Sequence, residues 1–443
     1  MESFTGGLLT DLYQLTMVQA YLNAGQTDTA VFEFFVRKLP PQRQFLMAAG
    51  LEQALEFLEA LRFSREELAW LEKTGRFNAR LIDYLANFRF SGEVHAMAEG
   101  TLFFQSEPIL RVTASLPEAQ LVETRLINIL HYQSLIASKA ARMVLLAPGK
   151  LLVDFGLRRA HGADAGLMAA RASYIAGFAG TATLLAQKVF GVPTYGTMAH
   201  SFVQSFDSEA AAFEAFARAR PENLTLLIDT YDSEAAARKV VALAPRLKKL
   251  GIDVQAVRID SGDLTTLSKS VRAILDKGGL AETGIFVSGG IDEDMLATFE
   301  QEKAPIAGIG IGTSLVTSAD LPALDCAYKL QEYAGMPRRK RSIGKATWPG
   351  RKQVWRRYDR NGRMMSDVLS IEEDNQEGEP LIRRVMEGGQ RIGGQPSLHD
   401  IRAHAGRELA RMPAEGINAT VPYPMQVSAS LEQLAAAVDR RTG

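Results

Sequence analysis

Between residues 149 and 320 short apolar runs alternate with longer helix-spaced segments, and this rhythm is the chain's strongest signal. Runs of strand length fall at Leu151-Leu152-Val153, Val192-Pro193-Thr194-Tyr195, Leu224 to Ile228, Val254 to Ile259, Ile285-Phe286-Val287 and Ile306 to Ile311. The gaps hold helical patterns at Ala165 to Val189, Glu209 to Ala219, Ser233 to Leu250, Ser268 to Lys277 and Asp292 to Phe299. Strand and helix alternating in this way predict an α/β fold, with a parallel sheet and crossover helices. Closure into a barrel is the economical arrangement, and six units rather than eight make it an irregular, incomplete one. A doubly wound open sheet is the competing arrangement.

The flanks follow other rules. Residues 1 to about 90 read as mainly helical, with Leu8 to Tyr21 and Gly50 to Leu61 at helical spacing and one strand at Val31 to Val36. Glu93 to Ala114 breaks into short strand-like runs separated by turn residues, which predicts a small antiparallel sheet. Gln120 to Arg142 returns to a long helical period. After Asp320 the rhythm stops: residues 323 to 333 and 353 to 370 read as strands. Ile371 to Pro380 and Glu387 to Pro396 read as polar loops, and Leu431 to Arg440 as a final helix.

Composition narrows the class. Fifty basic residues against fifty-one acidic ones give no global bias toward nucleic acid or membrane. The single cysteine, Cys326, excludes an intramolecular disulfide and any multi-cysteine metal site. Met1 to Thr5 lacks the basic and apolar regions of a signal peptide, and no uncharged apolar stretch approaches the roughly 20 residues of a membrane helix. A cytoplasmic enzyme is the expectation.

Barrel active sites form where strands end, so the residues after each run carry the chemistry. They read Asp154-Phe155-Gly156-Leu157-Arg158-Arg159, Gly196-Thr197-Met198-Ala199-His200-Ser201-Phe202 and Asp229-Thr230-Tyr231-Asp232. Arg258-Ile259-Asp260-Ser261-Gly262-Asp263, Ser288-Gly289-Gly290 and Gly310-Ile311-Gly312-Thr313 complete the set. Capping and turn formation explain one or two such endings, but six leading into glycine, arginine, histidine or carboxylate suggest convergence. The last two suit a phosphate cradle, because glycine lets backbone amides approach an anion and a helix N-terminus adds positive charge. Each glycine pair alone would be read as a turn. Alternation puts Arg258 and Asp260 on one strand face, with Asp263 on the turn beyond, able to reach a ribose hydroxyl or hydrated magnesium. An Arg–Asp ion pair with Asp263 capping the next helix fits the same hexapeptide. His200 is either a structural histidine or a nucleophile toward a phosphoryl group.

With these motifs the sequence resembles the nicotinate phosphoribosyltransferase family. The match opens at Thr10-Asp11-Leu12-Tyr13-Gln14-Leu15-Thr16-Met17, includes Glu99-Gly100-Thr101 and Glu123-Thr124, and continues in order to about residue 357. The resemblance implies an irregular α/β barrel beside a smaller α+β domain built from both chain ends. The corresponding divisions are residues 1–120, 121–325 and 326–443. It implies nicotinate, phosphoribosyl pyrophosphate and ATP as substrates, Mg2+ as cofactor, and a homodimer whose active sites are shared. His200 resembles the histidine that ATP phosphorylates. Phe155 resembles the aromatic that stacks on the pyridine ring, with the partner's Tyr13 on the other face. Arg158 and Arg258 would line the pyridine and ribose-phosphate pocket, beside Asp260. Thr197, Ser201, Asp229 and Asp263 would complete substrate binding. Ser288, Gly289, Gly290, Gly310, Gly312 and Thr313 would hold the ribose 5′-phosphate.

The amide-specific relatives carry aspartate in a Gly-Thr-Asp context where this chain has Gly180-Thr181-Ala182, so the acid is the expected substrate. Nicotinamide or quinolinate phosphoribosyltransferase, and a catalytically silent nucleotide-binding homologue, are the alternatives. The run from Arg338 to Arg357 holds nine Lys or Arg residues interleaved with Ile343, Trp348 and Val354. It reads either as a solvated face or as a segment that reaches a neighbouring subunit's site.

Overall fold

A computed structural model describes residues 6–39, 43–342, 344–413, 416 and 422–442. The Met1 to Thr5 stretch and Ile343 lie outside the described residues. The chain forms two compact units, one of residues 139–322 and one of residues 1–138 with 323–443.

The unit of residues 139–322 is built on a six-stranded parallel sheet. Its order is Gly180–Thr181, Leu151–Asp154, Gly308–Ile311, Gly284–Ser288, Val254–Ile259 and Leu224–Leu227. The chain starts at Leu151 and steps one way to Thr181, whose neighbour Thr194 adds a single parallel bridge. It then jumps to the far edge at Leu224 and walks back strand by strand to Leu151. A doubly wound sheet walks outward from its centre on both sides; this order instead runs round a curled half-barrel, open between Thr194 and Leu224. His200 lies in the stretch of chain that crosses this opening.

Two expectations need correction here. Val192 to Tyr195 is not a strand beyond the Thr194 bridge, and the sheet's second strand is Gly180–Thr181. The Ala165 to Val189 helix is two helices, Ala163–Ala176 and Leu184–Phe190. Gly177 ends the first at φ 124°, and a Cβ on Gly180 would stand 2.1 Å from the Pro193 carbonyl oxygen. Glycine at 180 therefore permits a close backbone approach that any side chain would block.

Aspartates start several of the outer helices. Asp232, Asp263 and Asp292 accept from the amides of Ala235, Thr266 and Met295 and so cap Ser233–Lys248, Leu264–Lys277 and Glu293–Gln301. Part of the carboxylate pattern at the strand ends is thus helix capping.

In the other unit an antiparallel seven-stranded sheet centres on Thr29–Val36, flanked by Cys326–Tyr333 and Pro108–Ser115. Glu93–Ala96 and Arg383–Glu387 extend it, so the small sheet expected near residue 100 is part of a larger one. Apolar side chains fill much of its core, with Phe32 and Tyr328 stacked at 5.0 Å between ring centroids. A second sheet pairs Lys352–Tyr358 with Met364–Ile371. Leu398–Ala410 is a helix that the polar sequence pattern did not announce; Ser397 caps it. Among the described residues no helix is long and apolar enough to cross a membrane.

Candidate functional site

The strand ends of the half-barrel do converge. Arg258, on Val254–Ile259, is the hub of the polar groups. Its Nε donates to Ser288 Oγ at 2.8 Å, Nη1 to Thr197 Oγ1 at 2.9 Å and Nη2 to Asp260 Oδ1 at 2.6 Å. Ser288 in turn donates its hydroxyl to the same Asp260 oxygen. The guanidinium carbon lies 5.5 Å from the Phe155 ring centroid. Three strand-end segments, those carrying Phe155, Asp260 and Ser288, and the Thr197 loop are therefore tied through one arginine.

The carboxylates form a second layer. Asp229 Oδ2 accepts from the Asp260 amide at 2.9 Å and from Ser261 Oγ at 2.6 Å. Its Oδ1 is buried and has no hydrogen-bond partner among the described residues. His200, at the start of the short helix His200–Gln204, faces these groups. Nε2 is 3.8 Å from Asp229 Oδ1 and 3.9 Å from Asp260 Oδ2, while Nδ1 lies 3.2 Å from Thr230 Oγ1. The imidazole is 39% exposed and the Asp229 side chain only 3%, so the ring stands between solvent and two carboxylates. Burial pushes the Asp260 carboxyl up, but the Ser288 and Arg258 hydrogen bonds and the positive charge of Arg258 outweigh it. The carboxyl sits below its ordinary value and is ionised at neutral pH.

Other site candidates have different surroundings. Asp263 spends both oxygens on Thr266, its Oδ2 accepting from Thr266 Oγ1 at 2.6 Å, and is a helix cap in this structure. Gly289 and Gly290 have φ of 102° and 67°, and a Cβ on Gly289 would stand 2.1 Å from the Asp260 carbonyl oxygen. Their amides donate to no acceptor among the described residues, which is the arrangement an anion can use. The helix that follows does not add to it, because Asp292, Glu293 and Asp294 fill its first turn. At Gly310 a Cβ would meet the Phe155 ring at 2.5 Å, so that glycine is explained by the aromatic alone. Gly312 precedes Thr313, which opens the four-residue helix Thr313–Val316 and is exposed, as is Ser201.

Arg158 is exposed on the Leu157–Arg159 turn and makes no hydrogen bond or ion pair among the described residues. Tyr13 belongs to the other unit, on Leu12–Ala24, with 46% of its surface exposed. Thr230 and Thr181 are polar neighbours that strand-end reading passed over. Short hydroxyl side chains carry no pattern of their own in sequence. Among the described residues no group of three or more His, Cys, Asp or Glu side chains is arranged to hold a metal ion by itself.

The model of the nicotinate phosphoribosyltransferase N-terminal domain matches residues 8–131, and that of the nicotinate phosphoribosyltransferase family matches residues 151–335. A nicotinate phosphoribosyltransferase of Mycobacterium tuberculosis is 50% identical over 416 residues, covering 94% of this chain and 89% of its own. The crystal structure of human nicotinic acid phosphoribosyltransferase superimposes with a TM-score of 0.86 at 31% identity, covering 98% of this chain and 100% of that one. A nicotinate-nucleotide pyrophosphorylase from Pyrococcus furiosus follows at TM-score 0.76 and 25% identity, with 95% and 98% covered. The chain belongs to the nicotinate phosphoribosyltransferase family.

Proposed function

We propose that this chain joins nicotinate to phosphoribosyl pyrophosphate, giving nicotinate mononucleotide and pyrophosphate, and that ATP hydrolysis through His200 drives the synthesis as a step in NAD salvage. The observation that carries the reading is the polar cluster at the strand ends, where His200 faces Asp229 and Asp260 beside the Arg258–Ser288 pair.

Pyrophosphate leaves ribose C1 through an oxocarbenium-like transition state, and the nicotinate ring nitrogen adds from the opposite face. No covalent bond to the protein is needed at that centre. The protein positions the two reactants and stabilises charge with preorganised donors. The free amides of Gly289 and Gly290 suit the ribose 5′-phosphate, with Gly312 and Thr313 on the next strand end. Phe155 supplies a ring face for the pyridine. Arg258 is committed to Asp260, whereas Arg158 has no partner among the described residues, so Arg158 is the better candidate to meet the nicotinate carboxylate.

In the driving reaction an imidazole nitrogen attacks the terminal phosphorus of ATP and ADP leaves. Water later cleaves the phosphohistidine to phosphate. Asp229 and Asp260 stabilise the ring while it carries positive charge. The unsatisfied Asp229 Oδ1 and the Asp260 carboxylate are hard oxygen donors. They would fit Mg2+ that keeps most of its water and is bound chiefly by polyphosphate. That ion would neutralise phosphate charge.

The exposed Tyr13 makes sense as a group delivered by a second copy of the chain, in a homodimer with shared sites. Product analysis after incubation with nicotinate, phosphoribosyl pyrophosphate, Mg2+ and ATP tests the reading. Nicotinate mononucleotide with ADP supports it, and ATP turnover without coupled product counts against it.

A further inference from the structure

Asp154 ends the first strand of the half-barrel, just before Phe155, and its side chain is fully buried. Each carboxylate oxygen has its own donor: Gly156 N reaches Oδ1 at 2.8 Å and Thr181 Oγ1 reaches Oδ2 at 2.6 Å. The Asp154 carbonyl accepts from Ala182 N at 2.7 Å, and Thr181 Oγ1 accepts from Thr183 N at 3.0 Å. One residue therefore stitches the Phe155 turn to the Ala182 turn through side chain and backbone together. All of these donors are neutral, and no Lys, Arg or His among the described residues pairs with the carboxylate. A buried carboxylate without a cation is costly to keep, so its position calls for a use beyond packing. The Phe155 turn has little room to adjust, since a Cβ on Gly156 would meet Val316 Cγ1 at 2.0 Å.

We propose that Asp154 is the positioning residue of the pyridine pocket, a clamp that fixes the Phe155 ring face relative to Ala182 and so sets affinity for nicotinate. The inference rests on the proposed reaction, in which Phe155 stacks on the pyridine and Ala182 borders its carboxyl end. Asp154 does not touch the substrate; it acts through Phe155 and Thr181. Asparagine has nearly the same shape but places an NH2 where Oδ2 accepts from Thr181. The Thr181 hydroxyl, already accepting from Thr183, would have to reverse and find another acceptor.

Steady-state kinetics on the full chain test the clamp, with Asp154→Asn, Thr181→Val and the double variant, varying each substrate against saturating partner. The expected result is a nicotinate KM raised about tenfold in each variant with the phosphoribosyl pyrophosphate KM within about twofold of wild type, the scale of one lost charge-assisted hydrogen bond. The double variant should be no worse than the worse single, because both changes break one link. Nicotinate mononucleotide binding by calorimetry should weaken in parallel, which gives a readout apart from turnover. Unchanged nicotinate KM, equal rises for both substrates, or multiplicative losses in the double variant would overturn the clamp. A wild-type protein that makes no nicotinate mononucleotide would instead refute the proposed reaction, so the two failures are separable.

Discussion

His200 Nε2 stands 3.8 Å from the buried Oδ1 of Asp229, an oxygen that no hydrogen-bond donor reaches. An unsatisfied buried carboxylate oxygen is unfavourable unless positive charge develops beside it. A protonated imidazole ring would supply that charge. Under the proposed mechanism the pair therefore suits a ring that becomes cationic during phosphoryl transfer.

His200→Ala should abolish ATP hydrolysis and leave slow, ATP-independent coupling of the two substrates, because Arg258, Ser288 and Asp260 keep their bonds to one another. Asp229→Asn preserves shape but removes the charge, and should slow ATP turnover by about tenfold or more. Phosphate release assays on both purified variants check this. Wild-type ATP turnover in His200→Ala would remove the histidine from the mechanism.

Substrate choice should follow Ala182. The residue is exposed at the end of the Thr181 strand, and its methyl side chain brings no negative charge of its own. A charge-assisted bond from arginine gains roughly 1 to 2 kcal/mol over a neutral amide contact, so nicotinate should exceed nicotinamide by about tenfold in kcat/KM. Ala182→Asp should shrink that preference, chiefly by weakening nicotinate. Equal use of both substrates by the wild type would contradict this account of Ala182.

Asp154 yields a stability prediction of definite sign. Burial raises its carboxyl from the ordinary 3.8 to about 6, the Thr181 and Gly156 hydrogen bonds opposing the rise only in part. The folded protein holds this proton more tightly than the unfolded chain. Stability from this group therefore falls as pH rises from about 4 to about 6 and stays reduced above that. Asp154→Asn has no such titration, so the stability of wild type relative to the variant should fall by on the order of 2 to 3 kcal/mol between about pH 4 and about pH 8, on top of a pH-independent cost for the Thr181 bond that the variant loses. Thermal melts at several pH values decide it, and a difference in melting temperature that does not change with pH would contradict the prediction.

If a second copy supplies Tyr13, a mixture of Tyr13→Ala and His200→Ala chains should recover fast, ATP-coupled synthesis that neither has alone. Co-expressed, differently tagged chains provide the heterodimer, and an active monomer at assay concentration would refute the shared site.

Much of the candidate site was legible because its groups gather where the half-barrel strands end. The Arg258–Asp260 pairing follows from alternation on a strand, and the histidine, carboxylates and glycines come in the expected order. Less legible was why each residue is there. Asp263 fits a ligand group and a helix cap alike in sequence, and in the structure its oxygens cap the helix. Gly310 reads as a phosphate glycine, and in the structure it also makes room for the Phe155 ring. The Gly180–Thr181 strand is two residues long, too short to show a period, and lies in an alanine-rich stretch that mimics one helix. The basic run also divides in a way charge alone cannot show. Arg356 is buried against Asp367 at 2.6 Å and Lys352 against Glu33 at 2.7 Å, so both are internal ties. Any role at a neighbouring subunit falls to the remaining members.

The most direct test of the central claim is the stoichiometry of product and ADP in one reaction. Wild-type protein with nicotinate, phosphoribosyl pyrophosphate, Mg2+ and ATP is compared with His200→Ala under the same conditions. The account predicts nicotinate mononucleotide and ADP rising together in the wild type, and a slow rise of nicotinate mononucleotide without ADP in the variant. ADP formed by His200→Ala at the wild-type rate, or no nicotinate mononucleotide from either protein, would contradict it.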